Sequence, residues 1–506
     1  MEHLPKYGGK LESSREEERR ERRARRAGAT YARERERQTR HTERERETDA
    51  TTTTTTTTMT DAKEKKEEYE GTLAFSGVTD FSVLGKVTMK PSISLPNMPS
   101  PTLFKCLSGV KVKRVLGGSA AQHCMIIDSK NRLWCWGNNA KGQLGLGHTT
   151  NLSEPTLVTG DLEGKEVVGG AAGRGHSVVY LKDGTSYSFG TNKYGQLGLG
   201  SVKFSILSKK KNQQEELHTS PVKNVVVGCN AVTCGAEFTL WLQNGAVLSA
   251  GCPEYGQLGH GTDNQYNSSD SSLKMYFQPQ PQPKLIGALV DKTILKIASG
   301  NSHSLALDSN GHLYSWGFGG YGRLGHKVQK DEFRPRQIEM FENRLALPLD
   351  ATIACGNMTS FATIKGGQLY MWGKMKTSGD SNMYPQPLME ISGWTIRSLA
   401  CGNGTFACAS EKSAITWGQA QYQELAYGPK GKKSSANPAM VDALQNKLTH
   451  EVSASFGSIL FLVDEKEDLS ALEEWQAPEV VIQAEEPAKG GKRKGGAAKG
   501  GRKKKR

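Results

Sequence analysis

The sequence predicts an all-β fold, a seven-bladed β-propeller in which one blade is shared between the N- and C-terminal halves of the chain. Three observations lead to this prediction: a recurring motif, short strand-and-turn patterns inside each copy, and half copies at the two ends of the repeat region. A unit of this size cannot bury its apolar face alone, so neighbouring copies must pack against each other. No amphipathic helix interrupts the repeats, which argues against an α/β arrangement.

The recurring motif is clearest in the string SHSLALDSNGHLYSWGFGGYGRLGH, which runs from Ser302 to His326. Two anchors identify the other copies. The first anchor closes a short apolar run and occurs at Trp136-Gly137, Phe189-Gly190, Ala250-Gly251, Trp316-Gly317, Trp372-Gly373 and Trp417-Gly418. The second anchor precedes it by about sixteen to nineteen positions and occurs at Gly117-Gly118, Ala172-Gly173, Cys234-Gly235, Ser299-Gly300, Cys355-Gly356 and Cys401-Gly402. Together the anchors define six complete copies.

Two half copies lie at the ends of the repeat region. Residues 71–77 match the back half of a copy, with the same spacing as Gly311–Gly317, and residues 452–464 match the front half. Joined, the halves make a seventh unit and close a ring, which leaves only short, protected sheet edges. Seven units over residues 71–465 average about 56 residues, close to known propeller repeats. An open solenoid would instead need polar capping repeats, and none is found.

Short strands and tight turns are expected within each copy. Leu305–Leu307 and Leu313–Trp316 are predicted strands, and Asp308–Gly311 is the predicted turn between them. Gly suits such a turn because it adopts positive φ without steric cost. The same turn recurs at Asp183-Gly184 and Asn244-Gly245. The chain contains 57 Gly among its 506 residues, more than the usual ~7%, as expected for a fold that needs Gly in every repeat.

The chain is expected to contain three regions: an N-terminal tail over residues 1–70, the propeller over residues 71–465, and a C-terminal tail over residues 466–506. Residues 15–48 hold 13 Arg and 9 Glu, and residues 51–58 are all Thr. Such segments cannot bury enough apolar area to offset chain entropy, so both tails are predicted to be disordered. A solvated single helix with i,i+4 ion pairs is the alternative for the Arg/Glu run.

The net charge of +14 comes mainly from the C-terminal end. Residues 489–506 contain 10 basic and no acidic residues. The propeller is therefore not expected to act as a basic nucleic-acid-binding body. The tail is expected to bind phosphates of DNA or chromatin without reading sequence, and to act as a nuclear import signal; a solubilising tail without a partner is the alternative. The tail candidates are Lys492, Arg493, Lys494, Arg502, Lys503, Lys504, Lys505 and Arg506.

Several classes of protein are excluded by features that the sequence lacks. An apolar signal segment is missing and no stretch approaches 18 apolar residues, so neither secretion nor a membrane span is expected. The nine Cys residues form no CxxC pair and are interpreted as small core residues of a reduced intracellular protein. Nucleophile-elbow, phosphate-loop and His-Glu-x-x-His motifs are also missing. No catalytic residue, metal site or cofactor is predicted.

The repeat resembles that of the regulator of chromosome condensation family. The resemblance rests on Gly-x-x-His, a hairpin Gly, an aromatic-Gly step and Gly-Gln-Leu-Gly, which occur together in GRGHSVVYLKDGTSYSFGTNKYGQLGLG from Gly173 to Gly200. Further segments are similar to the second paralogue of the family: CGAEF (234–238), CPEYGQLGH (252–260), SWGFGGYGRLGH (315–326), the stretch from Met383 to Gly402, and ITWG (415–418). The resemblance covers about residues 71–465 and does not extend to the flanks.

The resemblance implies a seven-bladed propeller with a split blade. It also implies a regulatory protein that binds a small GTPase of the Rac-, Arf- or Ran-like type, together with chromatin and spindle or centromere proteins. The implied role lies in chromosome behaviour, mitosis and cell division, or cytoskeletal control, and no covalent catalysis is expected. Two alternatives stay open: a true guanine-nucleotide exchange factor, and a GTPase-independent interaction scaffold. The implied location is the nucleus, chromosomes and spindle, with a cytoplasmic pool.

Partner contacts are expected where the copies differ. Two insertions lengthen the distance between anchors: residues 201–223, which contain Lys209, Lys210 and Lys211, and residues 262–292, which are rich in Gln, Ser and Pro. The founding member of the family inserts a β-wing into its GTPase, so either insertion is a candidate wing. A tolerated surface loop is the alternative.

The motif histidines divide into two sets. His123, His176 and His303 recur at one repeat position and are expected to hydrogen-bond neighbouring strands, because residues that recur once per blade are usually structural. His148, His260 and His326 follow the Leu-Gly turn, where greater exposure is expected. Together with Arg323, this second set provides candidate contacts to a partner protein.

Overall fold

In a computed structural model of the chain, the described residues are 69–84, 95–202, 215–267, 275–342, 345–376 and 379–478. Strands and short 3-10 helices make up the regular structure of this part of the chain, and no α-helix occurs in it. The predicted all-β class is therefore confirmed. The strands form repeated meanders of the kind that build β-propeller blades.

Most strands are five to seven residues long and are joined by turns. In chain order they are β1 (Gly71–Gly77), β2 (Met98–Phe104), β3 (Val112–Leu116), β4 (His123–Asp128), β5 (Leu133–Gly137), β6 (Leu152–Leu157), β7 (Val167–Ala172), β8 (His176–Leu181), β9 (Ser186–Thr191), β10 (Leu217–Lys223), β11 (Cys229–Cys234), β12 (Phe238–Gln243), β13 (Ala246–Gly251), β14 (Gln265–Asn267), β15 (Met275–Phe277), β16 (Gln280–Leu285), β17 (Ile294–Ser299), β18 (His303–Asp308), β19 (Leu313–Gly317), β20 (Glu332–Gln337), β21 (Ile353–Cys355), β22 (Thr359–Thr363), β23 (Leu369–Gly373), β24 (Asn382–Pro387), β25 (Ile396–Cys401), β26 (Thr405–Ser410), β27 (Ala414–Gly418), β28 (Ser435–Met440), β29 (Thr449–Ser455), β30 (Ser458–Asp464) and β31 (Glu473–Trp475). The 3-10 helices are Phe81–Val83, Lys105–Leu107, Gly160–Leu162, Gly287–Leu289, Gly320–Gly322, Glu339–Phe341, Met389–Ile391 and Asp442–Leu444.

Five four-stranded antiparallel sheets repeat the same meander. Sheet 1 is β7–β10; sheet 2 is β11, β12, β13 and β16; sheet 3 is β17–β20; sheet 4 is β21–β24; sheet 5 is β25–β28. We refer to the four strands of each sheet as A to D in chain order. Because consecutive strands are antiparallel, the A–B and C–D connections lie at one end of a sheet, and the B–C hairpin lies at the other end. Each of these sheets has the form of a propeller blade.

A larger, nine-stranded sheet contains both ends of the repeat region. Strand β1 pairs with β30 along its whole length, from Gly71 opposite Asp464 to Gly77 opposite Ser458. The predicted meeting of residues 71–77 with the C-terminal half copy is therefore present. On its other side, β1 pairs with β2 and touches β3 through the single pair Gly71 and Val112. The meander β3–β6, with the same A to D order as sheets 1 to 5, follows from there.

The Trp residues of the Trp-Gly steps lie in the core, as expected for residues that recur once per repeat. Trp136, Trp316, Trp372 and Trp417 have no exposed surface. The Gly that follows lets strand C approach the A–B turn of its own sheet: Gly317 has φ of 101°, and a Cβ atom there would lie 2.5 Å from Ser302 O. The Trp-Gly step is therefore a packing device and not a chemical site.

A short strand beyond residue 465, where the sequence placed the end of the propeller, packs on the large sheet. Strand β31 pairs in parallel with β2, opposite Thr102, Leu103 and Phe104. The Trp475 ring meets the Phe104 ring edge-on with centroids 5.8 Å apart, and the Ala477 amide donates to Glu154 Oε1 at 2.6 Å. Strand β31 thus covers the outer edge of β2, which would otherwise present unpaired backbone groups.

The cysteines agree with their interpretation as core residues. Eight of the nine are buried and Cys106 is exposed; all nine lie within the described residues and form no disulfide. Partial burial of the thiol group raises the pKa of Cys106 to about 11, so even this thiol is protonated near neutral pH. In the described ranges, no helix has the length and apolar character needed to cross a bilayer.

Replacing Trp475 by Ala is expected to lower the free energy of unfolding by about 1–2 kcal/mol, because the half-buried indole loses its packing on Phe104. Urea unfolding followed by circular dichroism measures the change. The matched control is Glu473→Ala, an exposed side chain on the same strand, which should change the free energy by less than about 0.5 kcal/mol. Equal stabilities of the two variants would show that β31 does not stabilise the large sheet.

Candidate functional site

The A–B turns meet at the centre of one face, which we call the loop face. The Arg174 amide donates to Ala236 O at 3.2 Å, and the Ala236 amide donates to Asn301 O at 3.0 Å. The Ser119 hydroxyl donates to Asn301 Oδ1 at 2.9 Å. These bonds join the large sheet and sheets 1 to 3. The C–D connections open on the same face, because they lie at the same end of each sheet as the A–B turns.

His123, His176 and His303 each begin strand B of one sheet and hydrogen-bond the next sheet. Their Nε2 atoms lie 2.6 Å from Ser177 Oγ, 3.1 Å from Thr239 Oγ1 and 2.9 Å from Ser360 Oγ, respectively. Each of these hydroxyls donates to a carbonyl of the preceding C–D loop, at Gln143, Gln196 and Arg323 respectively. The predicted structural role of these histidines is confirmed.

The hydrogen bonds show which nitrogen of each of the three rings carries the hydrogen. A hydroxyl has one hydrogen to donate, and here it goes to a carbonyl, so the hydroxyl must accept the histidine Nε2–H. The Nδ1 atoms of the same rings have no hydrogen-bond partner in the described residues. Burial lowers the pKa of His123 and of His176 to about 3 and holds the pKa of His303 well below its usual value. The three rings are therefore neutral structural groups.

The Gln of the Gly-Gln-Leu-Gly motif shapes the C–D loops. The Oε1 atoms of Gln143, Gln196 and Gln257 accept the amide two residues earlier, at distances of 2.8, 2.8 and 2.7 Å. Sheets 3 and 5 have a different residue at the motif Gln position. Sheet 5 has Glu424, whose carboxylate accepts the Tyr422 amide at 2.7 Å, and sheet 3 has Arg323, which carries no acceptor.

The candidate Arg323 is almost completely buried, with 3% of its surface exposed. Its guanidinium donates to Gly320 O at 2.9 Å and to Asn357 O at 2.7 Å. The charge lies 4.6 Å from the centre of the Phe318 ring and 5.5 Å from that of Tyr321, which supplies cation–π attraction. Desolvation lowers the pKa of Arg323 to about 10, so the side chain stays charged near neutral pH.

The three histidines after the Leu-Gly turn differ in exposure. The prediction that all three are exposed is therefore only partly correct. His148 is exposed. His326 is buried, contrary to expectation, because its Nε2 lies 2.9 Å from Ser315 Oγ. His260 is half-buried, with its Nε2 2.8 Å from Ser249 Oγ. Burial lowers the pKa of both of these rings to about 4. Of the three, only His148 is exposed, and its Nδ1 accepts hydrogen bonds from Asn139 Nδ2 and from the Thr150 amide, each at 3.2 Å.

Part of the insertion at residues 262–292 forms a two-stranded ribbon, and the rest includes β16 and the 3-10 helix Gly287–Leu289. Strands β14 and β15 pair in antiparallel register, with Tyr266 opposite Tyr276 and their ring centroids 5.9 Å apart. Met275 on this ribbon is 39% exposed, and the tip between the strands lies outside the described residues. The ribbon belongs to the C–D connection of sheet 2 and so extends from the loop face. The sequence flagged the insertion by its length but gave no sign of its pairing.

Two other sets of candidates cannot be placed in the structure. Lys209, Lys210 and Lys211 lie outside the described residues, within the C–D connection of sheet 1. The C-terminal candidates Lys492, Arg493, Lys494, Arg502, Lys503, Lys504, Lys505 and Arg506 also lie outside them. Both sets therefore stay predictions.

A cavity of about 300 Å³ opens on the loop face between the large sheet, sheet 1 and sheet 2. Its charged residues pair with one another: Lys141 with Glu215, and Arg174 with Glu237 at 3.5 Å. Lys193 lies over the Tyr194 ring, 4.6 Å from its centre. Across the described ranges, no group of three or more His, Cys, Asp or Glu side chains is arranged to hold a metal ion. The cavity is thus a polar recess whose charges are largely paired.

Repeated four-stranded meanders joined by this loop motif define the propeller class of the regulator of chromosome condensation. The pattern of the regulator of chromosome condensation (RCC1) repeat matches residues 130–180, 244–307 and 310–363, and a second pattern of the same repeat matches residues 167–196 and 294–323. The chain therefore belongs to the regulator of chromosome condensation family.

The relatives are consistent with the sequence segments that resemble the second paralogue. Protein RCC2 homolog from Danio rerio is 36% identical over 432 residues, which cover 80% of this chain and 84% of that protein. Protein RCC2 from Homo sapiens is 34% identical over 434 residues, which cover 80% of each chain.

Solved structures share the fold at lower identity. Yeast RCC1 (Prp20) bound to Kap60 has a TM-score of 0.63 and 18% identity, covering 83% of this chain and 97% of that one. Human WBSCR16 has a TM-score of 0.60 and 20% identity, covering 79% and 100%. Prp20p from Saccharomyces cerevisiae, with a TM-score of 0.62, 20% identity and coverage of 81% and 96%, was described together with its binding to Gsp1p and histones.

The stability of the chain is expected to fall as the pH drops below about 6.5, the usual pKa of histidine in an unfolded chain. Because burial lowers the pKa of His123 and His176 in the folded state, the unfolded state binds more protons and is favoured by acid between pH 6.5 and about 3. Each of these two histidines should lower the free energy of unfolding at pH 5 by about 2 kcal/mol relative to its value at neutral pH.

The variant His176→Phe tests this, since Phe238 occupies the same repeat position in sheet 2. Urea unfolding measures the free energy of unfolding at pH 7.5 and at pH 5.0. The loss of stability between these two pH values should be about 2 kcal/mol smaller in His176→Phe than in the parent chain. Thr405→Val, at the same repeat position in sheet 5, removes no titratable group and should keep the parent difference. An unchanged difference in His176→Phe would contradict the assignment.

Proposed function

We propose that this chain is a regulatory propeller that binds a small Ras-like GTPase through the loop face and acts in chromosome behaviour, cell division or cytoskeletal control. The observation that carries the proposal is the β14–β15 ribbon. It belongs to the face on which the A–B turns converge, and it carries the exposed Met275 beside the paired, half-buried Tyr266 and Tyr276 rings. A rigid sheet framework with protruding loops suits a partner that must be held in a defined orientation.

We further propose that the ring has seven blades over residues 71–465. The large sheet would then supply two of them, the meander β3–β6 and a split blade made of β29, β30, β1 and β2. Two observations support this division. Only one residue pair links β1 to β3, and the A strands contact one another in series from β3 through β7, β11, β17, β21 and β25 to β29, which in turn contacts β3.

The ribbon suits a wedge-like role in nucleotide exchange. An exchange factor stabilises the nucleotide-free state of its GTPase, so it needs a protruding element and no group that makes or breaks covalent bonds. Tyr and Met side chains at the ribbon supply apolar contact area with few charges, a composition that is enriched at protein interfaces. Binding without exchange uses the same surface, and a scaffold role without a GTPase is the remaining alternative.

Chromatin and spindle proteins are the second class of proposed partners. The structural neighbour Prp20p was described with binding to Gsp1p and histones. This supports the proposal that a propeller of this family binds both a GTPase and chromatin proteins. We propose that the C-terminal Lys/Arg-rich segment adds affinity for nucleic acid and serves as an import signal, which places the chain in the nucleus with a cytoplasmic pool.

A panel of purified Rac-, Arf- and Ran-like GTPases tests the first proposal. The full chain should capture at least one of them with a preference for the nucleotide-free or a particular nucleotide-loaded state. Met275→Asp should reduce that capture about tenfold or more, because it places a charge in an apolar contact. The matched control is Val290→Asp on the opposite side of sheet 2, where Val290 is 62% exposed; it should capture as well as the parent.

The same panel distinguishes the alternatives. Faster nucleotide release at micromolar protein would identify an exchange factor, and capture without faster release would identify a binder. Capture that ignores the nucleotide state of every GTPase, or equal losses in Met275→Asp and Val290→Asp, would contradict the proposal and leave the scaffold role.

Deleting residues 489–506 is expected to reduce nuclear accumulation and DNA binding without changing the unfolding midpoint, because these residues carry ten of the basic side chains and no acidic one. Fluorescence microscopy, electrophoretic mobility shift and urea unfolding measure the three properties. As a control, the ten Lys and Arg of the segment are replaced by Gln at constant length. Wild-type import and DNA binding in both variants would show that the tail assignment is wrong.

A further inference from the structure

The C–D loops of sheets 3, 4 and 5 collect exposed lysines on the loop face. Lys330 belongs to sheet 3, Lys374 and Lys376 to sheet 4, and Lys430, Lys432 and Lys433 to sheet 5; Lys374 is half-buried and the others are exposed. A backbone hydrogen bond places Lys374 beside the A–B turn of its sheet: the Lys374 amide donates to Met358 O in that turn of sheet 4 at 2.8 Å. We call these six side chains the lysine arc.

The lysine arc is poorly neutralised. Among the described residues, none of its six ammonium groups forms an ion pair, whereas Lys327 of the same region is paired with Glu339 at 3.4 Å. The exposed or half-buried acids of the three loops are Asp331 and Asp380, and Asp331 already accepts the Gly319 amide at 2.8 Å. The near-neutral charge of the whole propeller therefore conceals a local excess of positive charge.

The opposite face carries acids and lysines side by side. The 3-10 helices that follow strand D there carry acidic residues in their first turn: Asp161, Glu339, Glu390 and Asp442. Exposed lysines such as Lys130, Lys365 and Lys412 lie in the B–C hairpins of the same face, so its charges are mixed, whereas the lysine arc has few acids beside it to weaken its attraction for a polyanion.

Tyr321 stands at the centre of this region in an unusual conformation. In other loops the residue at this position donates its amide to the motif Gln, but Arg323 replaces that Gln, and the Tyr321 amide donates to Gln329 Oε1 at 3.1 Å instead. Tyr321 then adopts φ of 62°, a left-handed conformation that is uncommon for a bulky residue. Its ring is 41% exposed, whereas the corresponding Tyr194 and Tyr255 are half-buried.

The Tyr321 ring is accompanied by cations. The Arg323 guanidinium lies 5.5 Å and the Lys374 ammonium 5.2 Å from its centre. Exposed aromatic rings interleaved with cations are the combination that binds single-stranded nucleic acid, in which bases stack on the rings and phosphates meet the charges.

We propose that the lysine arc and Tyr321 form a binding surface for single-stranded nucleic acid, which goes beyond the proposed GTPase function. The lysines contact successive phosphates across the loops of sheets 3 to 5, and the Tyr321 ring stacks on an unpaired base. An acidic protein would use the lysines but would have no need for an exposed ring held among cations. A duplex would offer phosphates but no free base faces.

The test uses the full chain in which the ten basic residues of segment 489–506 are replaced by Gln, so that the tail does not mask the propeller. Fluorescence anisotropy measures binding to a 20-nucleotide poly-dT strand, a poly-U strand, a 20-base-pair duplex and heparin over a range of salt concentrations. Lys430→Gln, Lys432→Gln and Lys433→Gln together should weaken single-strand binding about tenfold and reduce the slope of log affinity against log salt by about 2.

Two matched controls accompany the test variants. Lys130→Gln, Lys365→Gln and Lys412→Gln together remove three exposed lysines from B–C hairpins on the opposite face and should leave binding unchanged. Tyr321→Asn keeps a residue that tolerates left-handed φ and should weaken single-strand binding about tenfold while keeping the salt slope and heparin binding. Tyr194→Asn, at the same loop position of sheet 1, should have no effect; unfolding midpoints verify that every variant is folded.

Three outcomes would overturn the proposal. One is the absence of single-strand binding by the tail-neutral chain. Another is an equal effect of the two triple-lysine variants, which would mean that the arc has no special affinity. The last is a loss of heparin and duplex binding with the arc variant but no effect of Tyr321→Asn, which would identify a general polyanion or acidic-protein surface.

Discussion

The antiparallel pairing of β1 with β30 is the interaction on which the rest of the structure depends. Seven residue pairs join strands that are nearly 400 positions apart in the chain, from Gly71 opposite Asp464 to Gly77 opposite Ser458. Without it, β1 and β30 would be open edges, and the N-terminal strands β1 and β2 would lose their backbone link to the C-terminal strands β29 and β30. Strand β31 then covers the outer strand β2, so both ends of the repeat region are secured in one sheet.

The same repeat positions supply the framework elsewhere. His123, His176 and His303 each join one sheet to the next through a hydroxyl and a backbone carbonyl, and the Trp-Gly steps fill the space between strands. Such positions leave little freedom, because every copy must meet the same neighbours. Where a copy departs from the pattern, the departure changes a local surface. Arg323 in place of the motif Gln removes an acceptor, and Tyr321 turns its ring outward beside two cations.

Much of the fold could be predicted from the sequence because its determinants are local and periodic. The hairpin Gly, the Trp-Gly step and the Leu-Gly turn each occur within one copy and report one meander. The exposure of His326 could not be predicted, since its burial depends on Ser315 in the neighbouring strand. The pairing of β14 with β15 and the parallel addition of β31 to β2 also lack a periodic signal, because each occurs once.

Spacing along the chain was enough to predict the all-β class, the order of the copies, the meeting of the two half copies and the structural role of the recurrent His and Trp. These properties follow from spacing, which is a property of the chain alone. The tertiary structure decided which side chains share a surface. Lys330, Lys374 and Lys430 come from three separate copies and lie on one face because consecutive antiparallel strands bring every C–D loop to the same end of its sheet, and the ring brings the sheets together.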